Sequence, residues 1–237
     1  MKKRFQLIFI LLIILGLGGC EKTQTPPAST EQSLSPTPSG ASDASDESNE
    51  SPMSTYKSIL ENKTQILSVD ANKELNISQL NQAVSDDESV KVVVSKFAIV
   101  DLDNDDMEEI VLWLRVNDND DYGFEVLRYK DGVVYGYTLS YRSFMDLKDD
   151  GTFSYSSGAM DYGFGRMEFT DSSYTIDKIS YCESSEASDN EQEISYYVNQ
   201  ESATEEDFLA AINKQSEKTG ITWYDYNDEN IETLLSE

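Results

Sequence analysis

The chain has 237 residues and a formal charge of −27, with 45 acidic against 18 basic residues and no histidine. A surface of that sign repels nucleic acid phosphates and anionic lipid headgroups, which excludes both as partners. The missing imidazole excludes Ser-His-Asp triads, Cys-His dyads and His-ligated zinc.

The first nineteen residues read as a targeting segment. Lys2, Lys3 and Arg4 precede an eleven-residue apolar run, "LIFILLIILGL", and small residues follow at once. That order is a secretory signal. The run is too short to span roughly 30 Å of hydrocarbon, which takes about 20 apolar residues. Leu17, Gly18, Gly19 and Cys20 resemble the lipobox of bacterial lipoproteins. The resemblance implies cleavage before Cys20 and lipid on its sulfur, holding the mature chain to the outer, extracytoplasmic face of the cell membrane. Several lipid chains on one residue anchor stably, where one binds marginally. Without the signal, 15 basic residues face 45 acidic ones, a charge near −30. The expected partners are cations or basic molecules.

Residues 20–52 carry the lipidated cysteine and then "EKTQTPPASTEQSLSPTPSGASDASDESNESP", which holds all five prolines. Ser, Thr, Pro and acids cannot bury enough surface to offset their ordering entropy. This segment is expected to be a disordered tether. It would span roughly 30 Å on average and about 105 Å when extended.

Residues 53–237 are expected to form one domain, monomeric and large enough for a core. In "STYKSILEN", Tyr56, Ile59 and Leu60 share a helical face. "SQLNQAV" predicts another turn or two of helix. Strands follow: "VKVVVSKFAIV", then "IVLWLRV", whose continuous apolarity marks a central strand. "FEVLRYK" and "VVYGYTLS" flank Asp131-Gly132, a type I′ hairpin signal. "YRSFMDL" and "TFSYSSG" flank a turn at "KDDG". "FGRMEF", "SYTIDKISYC" and "QEISYYVN" continue the strands. Thr204 and Asp207 approximate a capping box, with Phe208, Ala211 and Ile212 on the inner face of the helix they start. Asn227 caps a last helix carrying Ile231, Leu234 and Leu235 inward. The expected fold class is α+β: a mainly antiparallel sheet of short strands and hairpins, with short helices before it and two helices at the C-terminus.

Between two apolar strands lies "DLDNDDMEE", Asp101 to Glu109. Asp101, Asp103, Asp105 and Glu109 fall at positions 1, 3, 5 and 9, and Met107 at position 7 offers a backbone carbonyl. A tight loop of alternating short carboxylates turns its oxygens toward one point. Calcium wants six to eight oxygens at about 2.3–2.6 Å. An EF-hand is excluded, because its Gly and Glu positions hold Asp106 and Leu112 and its flanks here are strands. The loop resembles the D-x-D-x-D-x-x-x-D/E loop of integrin-type β-propeller repeats and related β-hairpin calcium loops. That resemblance implies Ca2+ held by the four acidic side chains. The family has Gly at positions 4 and 6, where Asn104 and Asp106 stand. Asn tolerates the left-handed backbone region and Asp does so less well.

The acids in "NDNDD" (117–121) are expected in a loop at the other end of the intervening strand. About seven residues at 3.3 Å each separate the two runs, far beyond the about 4 Å of a two-metal site. "SDDES" and "ESSEASDNEQE" are solvated loops by the same reasoning. Cys182, in a predicted strand, is a packed thiol with no base to activate it. The aromatics of "TWYDY", Trp223 and Tyr224, offer a surface for a sugar or peptide, or pack between the last helices and the sheet.

The chain resembles uncharacterised surface lipoproteins of Gram-positive bacteria through "FAIVDLDNDDMEEIVLWL" and the stretch Lys148–Phe153. The function expected is a calcium-stabilised binding or interaction module with an envelope protein or wall glycan as partner. The alternatives are an accessory subunit of an envelope complex and a carboxylate-based hydrolase. No nucleophile elbow, P-loop or dinucleotide fingerprint supports an enzyme.

Overall fold

The computed structural model describes residues 51–170, 173–186 and 192–236. The signal segment, Cys20, the tether up to 50 and the centre of "ESSEASDNEQE" lie outside the described residues.

The first helix, α1 (Pro52–Leu60), starts where the tether was expected to end. Ser51 caps it, accepting from Ser54 N at 3.2 Å. Pro52 belongs to the helix, because the first helical position needs no N–H and suits proline's fixed φ. Tyr56, Ile59 and Leu60 are buried, as their spacing predicts. The chain then makes a small hairpin, β1 (Ile66–Ser68) and β2 (Lys73–Leu75), that carries too little periodicity to be read from sequence. A 3-10 turn at Ile77–Gln79 leads into one turn of helix, α2 (Asn81–Val84).

Four long strands form a meander: β3 (Val92–Val100), β4 (Glu109–Val116), β5 (Asn119–Lys130) and β6 (Val133–Ser140). Asn117 and Asp118, both at positive φ, make a two-residue turn between β4 and β5. The acidic run expected to be a loop is therefore partly strand, since β5 begins at Asn119. The Asp131-Gly132 turn joins β5 to β6 with φ of 51° and 83°, the I′ geometry. "YRSFMDL" is not a strand. It opens with a 3-10 turn at Tyr141–Ser143 and continues as a strap that bridges to Ser154 at Met145 and, just beyond, to Gly220 at Lys148, with Leu147 O accepting from Ile221 N at 3.0 Å.

A second sheet follows: β7 (Phe153–Ser156), β8 (Tyr162–Phe169), β9 (Tyr174–Glu186), β10 (Gln192–Val198) and β11 (Glu201–Ala203). Helix α3 (Glu205–Ser216) is capped by Thr204, which accepts from Asp207 N at 3.2 Å. A two-residue strand, β12 (Tyr224–Asp225), and helix α4 (Asp228–Leu234), capped by Asn227, complete the chain.

The strand order is β12-β3-β4-β5-β6-β1-β2 in the first sheet and β11-β10-β9-β8-β7 in the second. All pairings are antiparallel except β1 with β6. The fold is α+β and mostly antiparallel, but with two sheets where one was expected. β4 explains why. Ile110, Leu112 and Leu114 face a core shared with α1 and α4, while Val111 points into a second core with Phe153 and Met167 of the other sheet. Both faces of β4 are apolar because both are covered.

Candidate metal centre

The acid loop joins β3 to β4 and folds onto itself through its own backbone. Asp101 Oδ1 accepts from Asn104 N at 2.7 Å and from Asp105 N at 3.3 Å, and Oδ2 accepts from Asp106 N at 3.2 Å. Asp105 Oδ1 accepts from Met107 N at 2.9 Å. These bonds wind the chain around the first carboxylate, as Asx turns do. The winding takes Asn104 to φ 62° and Asp106 to φ 66°. Those are the two positions where the resembling loops carry glycine.

Carboxylate oxygens of Asp101, Asp103 and Glu109 lie within 4.8 Å of one another. Asp105 stands apart from that trio and is exposed, as is the side chain of Met107. Glu109 is only 1% exposed, at the first position of β4, and its Oε2 accepts from Leu102 N at 2.9 Å. Burial pushes its carboxyl up to about 8, the neighbouring Asp103 and Asp105 add to the rise, and the Leu102 N–H and Arg128 oppose it. Asp103 is raised as well, by burial first and then by Asp105, with Arg128 opposing.

Arg128, on β5, is the residue that sequence reasoning missed. Its Nη2 lies 3.4 Å from Asp103 Oδ2 and 3.4 Å from Asp105 Oδ2, and its Nε is 3.9 Å from Glu109 Oε1. The guanidinium also sits 4.6 Å over the Phe169 ring of β8. One cation therefore serves three carboxylates, and the balance is incomplete. Asp103 Oδ1 is buried with no hydrogen-bond partner among the described residues. The donor set is all oxygen, clustered and under-neutralised, which fits a hard divalent cation. The turn at Lys148–Gly151 braces the loop from outside. A Cβ on Gly151, which has φ 76°, would fall 2.4 Å from the Asp101 carbonyl oxygen.

The other acidic run, at Asn117 and Asp118, lies at the far end of β4 and contributes nothing to this cluster. Cys182 is buried, its thiol donates to Met160 O at 3.4 Å, and burial pushes its pKa up. It has the environment of a packed thiol.

Trp223 and Tyr224 part company. Tyr224 pairs in register with Phe97 and packs on its ring at 5.8 Å. Trp223 turns to the opposite core, edge-on to Trp113 at 5.0 Å and stacked on Phe124 at 5.9 Å. Tyr141 also stacks with Phe124, at 6.1 Å. These rings wall an open cavity of about 550 Å³ lined also by the strap at Met145–Leu147 and by Gly220 and Ile221.

No protein family matches the chain. No curated protein and no solved structure matches it either.

Proposed function

We propose that the protein is an extracytoplasmic lipoprotein, tethered through lipid on Cys20, whose domain is a binding module stabilised by calcium. The ion is held by Asp101, Asp103, Glu109 and the more exposed Asp105, with the Met107 carbonyl completing the set. The observation that carries the calcium reading is the wound loop: three carboxylates within 4.8 Å, with Asn104 and Asp106 in the left-handed region. A solvated acidic turn has no need to bring like charges together, whereas a bound cation favours it. The role is structural. The loop fixes the junction of β3 and β4, two strands at the centre of both cores, and a cation there would lower the repulsion stored in that junction. The lipobox-like "LGGC" supports the tether, and the acidic surface suits a partner without anionic groups, an envelope protein or wall glycan.

The test is calorimetric unfolding of the full chain in detergent, with calcium and with chelator. At 100 times its Kd, calcium raises stability by roughly 2.7 kcal/mol. Asp103→Ala abolishes that rise. An unchanged midpoint in the native chain removes the ion from the account.

A further inference from the structure

The two tryptophans of the chain, Trp113 and Trp223, are 110 positions apart and meet at one cavity. Its wall is a cluster of rings: Phe124 stacks with Tyr141 and with Trp223, and Trp113 is edge-on to both Phe124 and Trp223. Phe124 is buried, whereas Trp113, Tyr141 and Trp223 are partly exposed. A volume of about 550 Å³ is within the roughly 300–1,000 Å³ of small-ligand sites, and an aromatic wall with a few polar groups is their usual lining.

The charges at the rim narrow the ligand. Among the described residues, no Lys or Arg lines the cavity, and an anion would also meet the strongly acidic surface. The one lining acid, Asp146, is already matched: Lys148 Nζ lies 2.9 Å from its Oδ1, and Lys148 is further held by donating to Ser216 O at 3.3 Å. An organic cation would gain no uncompensated charge there. A wholly apolar ligand would strip water from that pair and from the Ser154 side of the cavity while replacing none of its hydrogen bonds. The chemistry left is an uncharged molecule with a flat apolar face for the rings and a rim of hydroxyls for Asp146, whose carboxylate has acceptor sites beyond the one used by Lys148. That is a neutral sugar ring.

We infer that the cavity walled by Trp113, Tyr141 and Trp223 is a binding site for a neutral saccharide. The inference rests on the reading of this domain as a binding module, and it names the place and the ligand class. The partly exposed rings of Trp113, Tyr141 and Trp223 meet the sugar's apolar face, and Asp146 accepts from its hydroxyls. Gly220, in the lining, has room for a side chain, since a Cβ there meets nothing within 4 Å.

Because both tryptophans of the chain line the site, their emission, excited at a wavelength that spares the 14 tyrosines, reports on this cavity. The experiment titrates the full chain in detergent with chitotetraose and with cellotetraose and follows that emission. The expected result is a saturable change with at least one of them. It weakens at least about tenfold in Gly220→Phe, which fills part of the cavity, and in Tyr141→Leu, which removes a ring. The unfolding midpoint of Gly220→Phe should stay that of the parent. No saturable change with either sugar up to about 10 mM, beyond the millimolar limit of weak specific binding, overturns the site. So does equal affinity in both variants. Tighter binding of the amine-bearing chitosan tetramer than of chitotetraose overturns the neutral class and assigns the cavity to a cation. A chain that binds sugar but ignores calcium, or fractionates away from membranes, overturns the preceding reading and leaves the saccharide site standing.

Discussion

Asp103 has one oxygen 3.4 Å from Arg128 Nη2 and the other buried with no hydrogen-bond partner among the described residues. The arginine side chain is 12% exposed and the aspartate 11%, so this pair sits largely out of water. Arg128 acts as an internal counter-ion that any incoming cation must share the carboxylates with. Arg128→Met keeps an unbranched apolar chain and removes the charge together with the guanidinium that sits over Phe169. In chelator, breaking a mostly buried pair leaves three acids facing each other and costs about 2–4 kcal/mol. For a domain of this size that lowers the midpoint by roughly 5–12 °C. In saturating calcium the loss shrinks, because the ion replaces the guanidinium. Scanning calorimetry of parent and variant in both buffers reads the difference. An identical loss with and without calcium means that the arginine and the ion do not compete.

The strain at Asp106 gives a second expectation. At φ 66° a side chain costs roughly 1–2 kcal/mol relative to glycine, less for Asp, whose short side chain bonds locally. Asp106→Gly relieves that strain and also removes one exposed charge from a crowded loop. The chelated protein gains up to about 1 kcal/mol, read as a higher denaturant midpoint at unchanged slope. Asn104→Gly gains less, because asparagine tolerates this conformation better. A loss in both variants would mean that the side chains, rather than the backbone, hold the loop in place.

This loop is also the part of the molecule most legible in the sequence. Its acids, its missing glycines and the two strands around it can be read from local pattern, as can the Asp131-Gly132 hairpin and the buried face of α1. The rest depends on pairings that no local pattern carries. Arg128 meets Asp103 across 25 positions because β5 lies beside β4, and Trp113 meets Trp223 because β12 adds to the edge of β3. β1, β2, β11 and β12 have two or three residues each, too short to display a period of two. The division into two sheets is hidden for a related reason. A strand covered on both faces reads as one apolar run, and the run does not say what covers it.

Glu125 makes stability depend on pH. It is fully buried on β5, its Oε2 accepting from Thr138 Oγ1 at 2.7 Å, with Oε1 unpartnered among the described residues. Burial pushes its carboxyl up to about 8, well above its ordinary range, with Thr138 opposing and Asp70 adding to the rise. The folded state therefore holds a proton that the unfolded chain has released. Its contribution is fully present below the unfolded pKa near 4.5 and is lost as pH rises through about 8. Across that window the loss from this group is at most about 4–5 kcal/mol. Glu125→Gln keeps the shape and the Thr138 contact without the titration, and it is more stable than the parent at pH 8. Urea unfolding at pH 5 and pH 8 measures both slopes. If the variant keeps the parent's full loss between these pH values, Glu125 is not the titrating group.

Gly151 ties the acid loop to the far end of the chain. Its φ of 76° suits glycine, and an added Cβ would lie 2.4 Å from Asp101 O and 3.2 Å from Leu102 Cα, both backbone atoms that cannot swing away. The same turn is held to the end of α3. Lys218 Nζ reaches Asp150 Oδ2 at 2.7 Å, and the buried Gln215 donates to Thr152 Oγ1 at 2.7 Å. Gly151→Ala therefore strains a turn pinned on both sides, at a cost of about 2–3 kcal/mol. Because the strain falls on Asp101, the variant should also respond less to calcium than the parent. Asp149→Ala, in the same turn but without the close approach, should change neither quantity. Calorimetry of the two variants with calcium and chelator separates the cases. A Gly151→Ala protein that is destabilised but keeps the parent's full calcium response would show that the turn supports the fold without shaping the loop.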